Sequence, residues 1–200
     1  MRESPQRTLA VNTAAFAVSF AAWVMLGPAG VVVTRAAGFG PGSVAFVKSL
    51  PILAGALLRV PLGVIADRWG ARRVFPAVQL VGALGALGVS VSHSPTAYVV
   101  SGILLGLVGT TFVVGVQSVS SWTPPERQGF ALGVFGMGNA GTAITTLLMP
   151  LLVASLGYRA SVRIFAAALV LSAIGYASFV RDAPRRGPPL ALRAVLAPLA

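Results

Sequence analysis

Arg59 is the residue of this sequence whose setting most demands a chemical reason. It stands in "PILAGALLRVPLGVIADRWGARR", residues 51–73, with no other charge between Lys48 and Asp67. That run is apolar and long enough to cross a bilayer as a helix. A guanidinium placed there costs about 3 kcal/mol even on the mildest insertion scale. At 100° per residue Gly55, Ala56 and Gly63 share its face, whereas Leu50, Leu53, Leu57 and Val64 lie opposite. Small residues mark the packed face of a membrane helix, so Arg59 is expected to point inward. One reading is a structural arginine bonded to helix-end carbonyls or to a neighbouring helix. The other is a ligand site. No Asp or Glu lies within the apolar spans, and an unpaired buried cation is relieved by an anion that comes and goes.

A second cluster is "FALGVFGMGNAGTAITTLLMPLL", residues 130–152. Gly133, Gly136, Gly138 and Gly141, with Gly129 just before, strip one surface of side-chain bulk. Close helix packing explains part of this. Asn139 sits among the glycines, and Asn139, Thr142 and Thr146 follow one another along one face. An amide flanked by glycines can donate hydrogen bonds to a small anion without adding charge. In "GTTFVVGVQSVSSW" Phe112 reads as packing or lipid contact, and Gln117 as solvated or bonded to a neighbouring helix. His93 reads as a solvated loop residue. The spans contain no nucleophile–base pair and no metal-ligand cluster, so neither an enzyme, a metal nor a cofactor is expected.

These residues must be held by membrane helices. The composition is 56% hydrophobic and 10% charged, with a mean hydropathy of +0.86, against roughly 25% charged for a soluble domain. Six apolar segments of about 18 residues or more run over about 9–33, 44–66, 74–91, 97–119, 130–152 and 162–180. Between them lie the turn-rich stretches "RAAGFGPG", "DRWGARR", "SHSPT", "SSWTPPERQG" and "SLGYRAS". Pro28 with Gly27 and Gly30, and Pro51 with Pro61, are expected to kink or loosen their helices. The first apolar segment is too long for a cleavable signal, and the absence of cysteine leaves the redox compartment open.

The net charge of +11 is largely a topology signal. With the N-terminus cytoplasmic, that side collects Arg2, Arg7, Arg68, Arg72, Arg73, Arg127, Arg181, Arg185, Arg186 and Arg193. The opposite side has Arg35, Lys48, Arg159 and Arg163. The four acidic residues, Glu3, Asp67, Glu126 and Asp182, also fall on the cytoplasmic side. A nucleic-acid partner is excluded on this distribution. A multi-pass protein of the cytoplasmic (inner) membrane is expected.

"GVIADRWGARR", Gly63 to Arg73, resembles the signature of the major facilitator superfamily between its second and third helices, G-x-x-x-D-R-x-G-R-R, departing from it at Ala71. The resemblance implies that Gly63, Asp67, Arg68, Gly70 and Arg73 form a cytoplasmic latch, with charges at helix ends that pair and release as bundles rock. "GALLRVPLGVIADRWG" and "SSWTPPERQGFALGVFGMGNAGT" are similar to the nitrate/nitrite porter family within it, and Gly136 to Gly141 resembles that family's glycine-rich nitrate signature. What this implies is an all-α fold: the N-terminal six-helix bundle of a secondary transporter, over residues 1–181. Residues 182–200 would be a cytoplasmic connector toward a second six-helix half, from the same gene product or a partner chain. The implied substrate is nitrate or nitrite, carried by alternating access, in nitrate assimilation or as anion antiport. Arg59 matches the binding arginine, Asn139 the signature asparagine and Phe112 the aromatic flanking the anion, with Gly136, Gly138 and Gly141 beside them. Two alternatives are a major facilitator for another small or organic anion or drug-like solute, and a non-transporting truncated half or anion sensor.

Overall fold

A computed structural model of the chain describes residues 4–184, and among them only helices and short connections occur. The expected connector beyond Pro184 lies outside the described residues, as do Arg2, Glu3, Arg185, Arg186 and Arg193. The helices are α1 (Pro5–Val24), α2 (Leu26–Ala36), α3 (Val44–Trp69), α4 (Ala71–Val91), α5 (Pro95–Gly106), α6 (Thr111–Trp122), α7 (Gln128–Gly136) and α8 (Ala140–Phe179). Single 3₁₀ turns precede α3 and α7 and join α5 to α6 and α7 to α8. Five continuous helical runs are long and apolar enough to cross a membrane: Pro5–Ala36, Pro41–Trp69, Ala71–Val91, Pro95–Trp122 and Pro125–Phe179.

The fifth run contains two helices. Gly157 has φ 77° and ψ 159° inside α8, a backbone state essentially restricted to glycine. Contacts with α1 show that the chain reverses there. Thr145 Oγ1 donates to the Ala21 carbonyl, while the Tyr176 hydroxyl donates to Asn12 Oδ1. In a straight helix Thr145 and Tyr176 would stand ~46 Å apart, against ~14 Å between Asn12 and Ala21. The part before Gly157 therefore runs parallel to α1 and the part after it antiparallel. The described chain makes six helical passes.

Two helices start earlier than hydropathy indicates, α1 at Pro5 rather than about residue 9 and α5 at Pro95 rather than about residue 97, whereas α3 starts at Val44 as expected. Ser4 accepts from the Arg7 amide at 3.2 Å and Ser94 from the Ala97 amide at 3.3 Å, each with proline at the next position. Serine before proline is a strong N-terminal stop that also satisfies a free amide. The first pass is interrupted at Met25, between α1 and α2. Pro28, in the first turn of α2, cannot donate to Val24, so the interruption falls one turn before the proline.

Many large aliphatic side chains face outward: Leu57 is 76% exposed, Leu147 74% and Leu171 70%. The bundle interior is built mostly from Ala, Gly, Val and aromatic residues with a few Leu and Met, among them Leu105, Met149 and Leu169, and it contains a bonded polar layer. Asn12 Nδ2 donates to Thr8 O and Ser118 Oγ, and Gln79 Nε2 lies 2.9 Å from both Ser19 Oγ and Ser172 Oγ. Phe75 stacks on Tyr176 with centroids 4.2 Å apart. This layer ties α1, α4, α6 and α8 together.

Candidate functional site

Arg59 lies in the middle of α3, half-buried. Of the three small residues expected on its face, Gly55 and Gly63 pack against protein, whereas Ala56 is exposed. Gly55 packs so closely on α5 and α1 that a Cβ there would meet the Gly106 carbonyl and lie 3.0 Å from Trp23 Nε1. A Cβ on Gly63 would lie 3.1 Å from Val113. Leu53 and Leu57 are exposed as expected of a lipid side, but Leu50 and Val64 are not. Leu50 packs on the main core and Val64 is 8% exposed, because α3 is covered over more of its circumference than an isolated wheel conveys.

The guanidinium rests on two rings. Its carbon lies 5.5 Å from the Trp23 ring and 5.8 Å from the Phe112 ring. Each such contact contributes ~0.5–2 kcal/mol, depending on desolvation. Nε is buried without a hydrogen-bond partner. Asp67, the nearest carboxylate along α3, is eight residues or ~12 Å further on, where it accepts from Gln117 Nε2 of α6. Aromatic faces stabilise a cation without neutralising it. A carboxylate in their place would cancel the charge an anionic ligand needs.

Phe112 and Trp23 belong to an aromatic cluster with Phe16, Phe20 and Phe135. Phe16 stacks on Phe135 at 4.6 Å and tilts against Phe112 at 5.6 Å. This cluster links the arginine to the glycine-rich turn Met137–Asn139. A Cβ at Gly138 would strike the Phe16 ring and lie 3.0 Å from the Thr13 carbonyl. At Gly141 it would meet the Ala17 carbonyl. Gly138 and Gly141 therefore bring this segment against α1, and of the three signature glycines Gly136 alone has open space beside it. Asn139 is exposed on the open face, and its Nδ2 donates to the Gly136 carbonyl at 2.9 Å. Thr142 and Thr146 continue the same face with bonds to the Asn139 and Thr142 carbonyls. The structure brings Arg59 and Phe112 together; no hydrogen bond joins Asn139 to them.

Trp23 was not among the sequence-derived candidates. The spacing Phe16, Phe20, Trp23 marks one face of α1 as an aromatic stripe, and that was the available signal. Which side chain met the arginine depended on how α1 packs on α3.

The five residues of the expected latch sit at one end of the bundle. Gly70 links α3 to α4 with φ 84°. A Cβ there would strike the Asp182 carboxylate, which follows α8 and accepts from the Arg72 amide at 2.9 Å. Trp69, Arg72, Arg73, Ala177 and Asp182 line an open cleft of about 490 Å³. Arg68 is exposed in the last turn of α3 and engages neighbouring groups. Elsewhere His93 is exposed and contacts Arg159 Nη2 at 3.1 Å. Among the described residues no cluster of three or more His, Cys, Asp or Glu could hold a metal.

Residues 13–200 match the family model described as Major Facilitator Superfamily. The chain is similar to a probable nitrate/nitrite antiporter NarK1 of Thermus thermophilus, 39% identical over 156 residues, covering 77% of this chain and 35% of that protein. It is similar to a probable nitrate/nitrite transporter NarK2 of Mycobacterium tuberculosis, 37% identical over 170 residues, covering 84% and 43%. A nitrite extrusion protein of Bacillus subtilis is 28% identical over 171 residues, covering 86% and 43%. The chain spans less than half the length of these curated relatives.

Proposed function

Because the chain belongs to the major facilitator superfamily, we propose that its six passes form the first half of a non-enzymatic nitrate and nitrite carrier of the cytoplasmic membrane. One observation carries the reading: Arg59 stands in a membrane-length helix on two aromatic faces, with Nε buried and, among the described residues, no carboxylate against it. A planar trigonal oxyanion fits a guanidinium through two parallel N–H···O bonds. Phe112 flanks the plane of the anion, and Asn139 with the open backbone at Gly136 forms the facing wall. Gly138 and Gly141 set the distance of that wall by letting its helix approach α1. The names of the relatives, nitrate/nitrite transporters in two of the three, support the same substrate.

In this reading a second six-helix half, from the same gene product or a partner chain, closes over the open face of α7 and α8 and supplies a further cation. Alternating access moves the two halves about the bound anion. Asp67, Arg68, Gly70 and Arg73, with Gly63 behind them, latch the cytoplasmic end, and the N-terminus is cytoplasmic by the distribution of basic residues. Exchange of one anion for another is favoured over proton symport. An empty site would carry an uncompensated, half-buried cation through the reorientation, which is costly, and among the described residues no carboxylate adjoins Arg59 to take a proton.

The test is Arg59→Lys in the natural gene product that carries this chain, reconstituted into liposomes loaded with nitrite. Lysine keeps the charge but replaces the planar fork with a point charge. Losing one charge-assisted bond of a bidentate pair is worth ~1.5–3 kcal/mol, so nitrate half-saturation should rise about 10- to 150-fold. Undiminished nitrate–nitrite exchange removes Arg59 as the ligand.

A further inference from the structure

Trp23 is held more tightly than packing requires. Its indole Nε1 donates to the Pro51 carbonyl of α3 at 3.0 Å. Glycines form the slot around it. A Cβ at Gly55 would lie 3.2 Å from its Cε2, and one at Gly109, in the 3₁₀ turn between α5 and α6, would lie 2.5 Å from the same atom. Phe20 tilts against it with centroids 4.9 Å apart. The indole is 8% exposed. A ring pinned at its polar edge and flanked by glycine backbone from α3 and from the turn between α5 and α6 has one orientation. The Arg59 guanidinium lies over it.

We propose that Trp23 is the positioning residue of the anion site, an indole platform that fixes the plane of the Arg59 guanidinium toward the ligand. The proposal rests on the reading of Arg59 as the anion ligand. Arginine has four side-chain torsions, and among the described residues no hydrogen bond anchors this one. Something else must hold the fork for two-point recognition, since ordering a long side chain at binding is entropically costly. The indole does so through its π face, and the Pro51 bond couples that face to the helix that bears the arginine. Phe112 gives the second face but carries no polar edge to fix its own plane. The residues divide accordingly: Arg59 binds, Phe112 flanks, and Trp23 sets the angle.

The experiment uses the natural gene product with Trp69→Phe and Trp122→Phe as background, so that Trp23 is the sole indole among residues 4–184. Nitrate quenches indole emission at short range, and the Trp23 contribution is obtained by difference against Trp23→Phe. The expected result is saturable quenching of Trp23 by nitrate, with the same half-saturation as nitrate exchange and abolished by Arg59→Gln. Trp23→Leu should raise nitrate half-saturation about five- to tenfold with maximal flux within about twofold, while Trp23→Phe recovers most of the affinity because a π face remains. A merely structural tryptophan would lower the folded yield and leave half-saturation unchanged. Should Trp23→Leu fail to fold, the quenching and the Trp23→Phe titration decide. Emission that ignores nitrate while exchange proceeds, or unaltered half-saturation in a folded Trp23→Leu, overturns the proposal provided Arg59→Gln abolishes exchange. If Arg59→Gln also leaves exchange intact, the reading of Arg59 fails first.

Discussion

Gly136 and Gly141 belong to one six-residue stretch, yet the same substitution should have opposite consequences at the two positions. At Gly141 an alanine Cβ would lie 2.9 Å from the Ala17 carbonyl carbon and 3.1 Å from the Ala21 nitrogen, with the Ala17 oxygen nearer still. These are backbone atoms of α1, and no rotamer change relieves them. Restoring ordinary contact requires α1 and α8 to separate by about 1 Å. A shift of that size would stretch the 2.9 Å bond from Thr145 Oγ1 to the Ala21 carbonyl beyond useful range. Overpacking of this kind costs ~1–3 kcal/mol and the lost bond ~1 kcal/mol, offset by ~1 kcal/mol of alanine helix propensity. Gly141→Ala should therefore destabilise by ~1–3 kcal/mol. Gly136 is helical, with φ −59° and ψ −24°, and its Cβ would meet nothing within 4 Å, so Gly136→Ala should leave stability unchanged or slightly raised. Thermal unfolding in detergent, followed by intrinsic fluorescence at matched detergent-to-protein ratio, measures both. Equal midpoints for the two variants would refute the assignment of Gly141 to the helix contact.

Gly157→Ala tests the chain reversal: with no neighbour in reach, only the backbone at φ 77° opposes the change, and a loss of ~1–3 kcal/mol in thermal unfolding is expected. Tyr176→Phe keeps the stack on Phe75 but removes the donor to Asn12 Oδ1 at 2.9 Å. Leaving that acceptor unpaired in a buried layer should cost ~1–3 kcal/mol in unfolding, while nitrate half-saturation stays as in the parent.

The fold was legible because membrane helices declare themselves by length, and the reversal at "SLGYRAS" carried its own glycine. Helix ends were less so. Hydropathy sees the apolar run, whereas the first turn is set by Ser4–Pro5 and Ser94–Pro95, polar positions outside that run. Arg59 stood out since a lone charge in an apolar helix is expensive wherever the helix packs. The glycines of residues 136–141 did not sort themselves by composition: steps of three and four residues place Gly138, Gly141 and Thr145 on the α1 side and Gly136, Asn139, Thr142 and Thr146 on the other. Knowing which side is covered required α1. Trp23 stayed hidden for a related reason, as its meaning comes from a contact between the first and second passes that no local pattern encodes.

Pro51 alters how α3 can move. Lacking an amide hydrogen, it leaves the Val47 carbonyl without its helical partner, and the Tyr98 hydroxyl donates there from α5. The carbonyl of Pro51 itself takes the indole of α1. A residue that would ordinarily make a hinge is instead bolted on two sides, at two successive turns, to two different neighbours. Twisting α3 about its own axis would break both bonds at once. The helix thus behaves as a beam set into the bundle, and the arginine two turns along it travels only when the whole block travels.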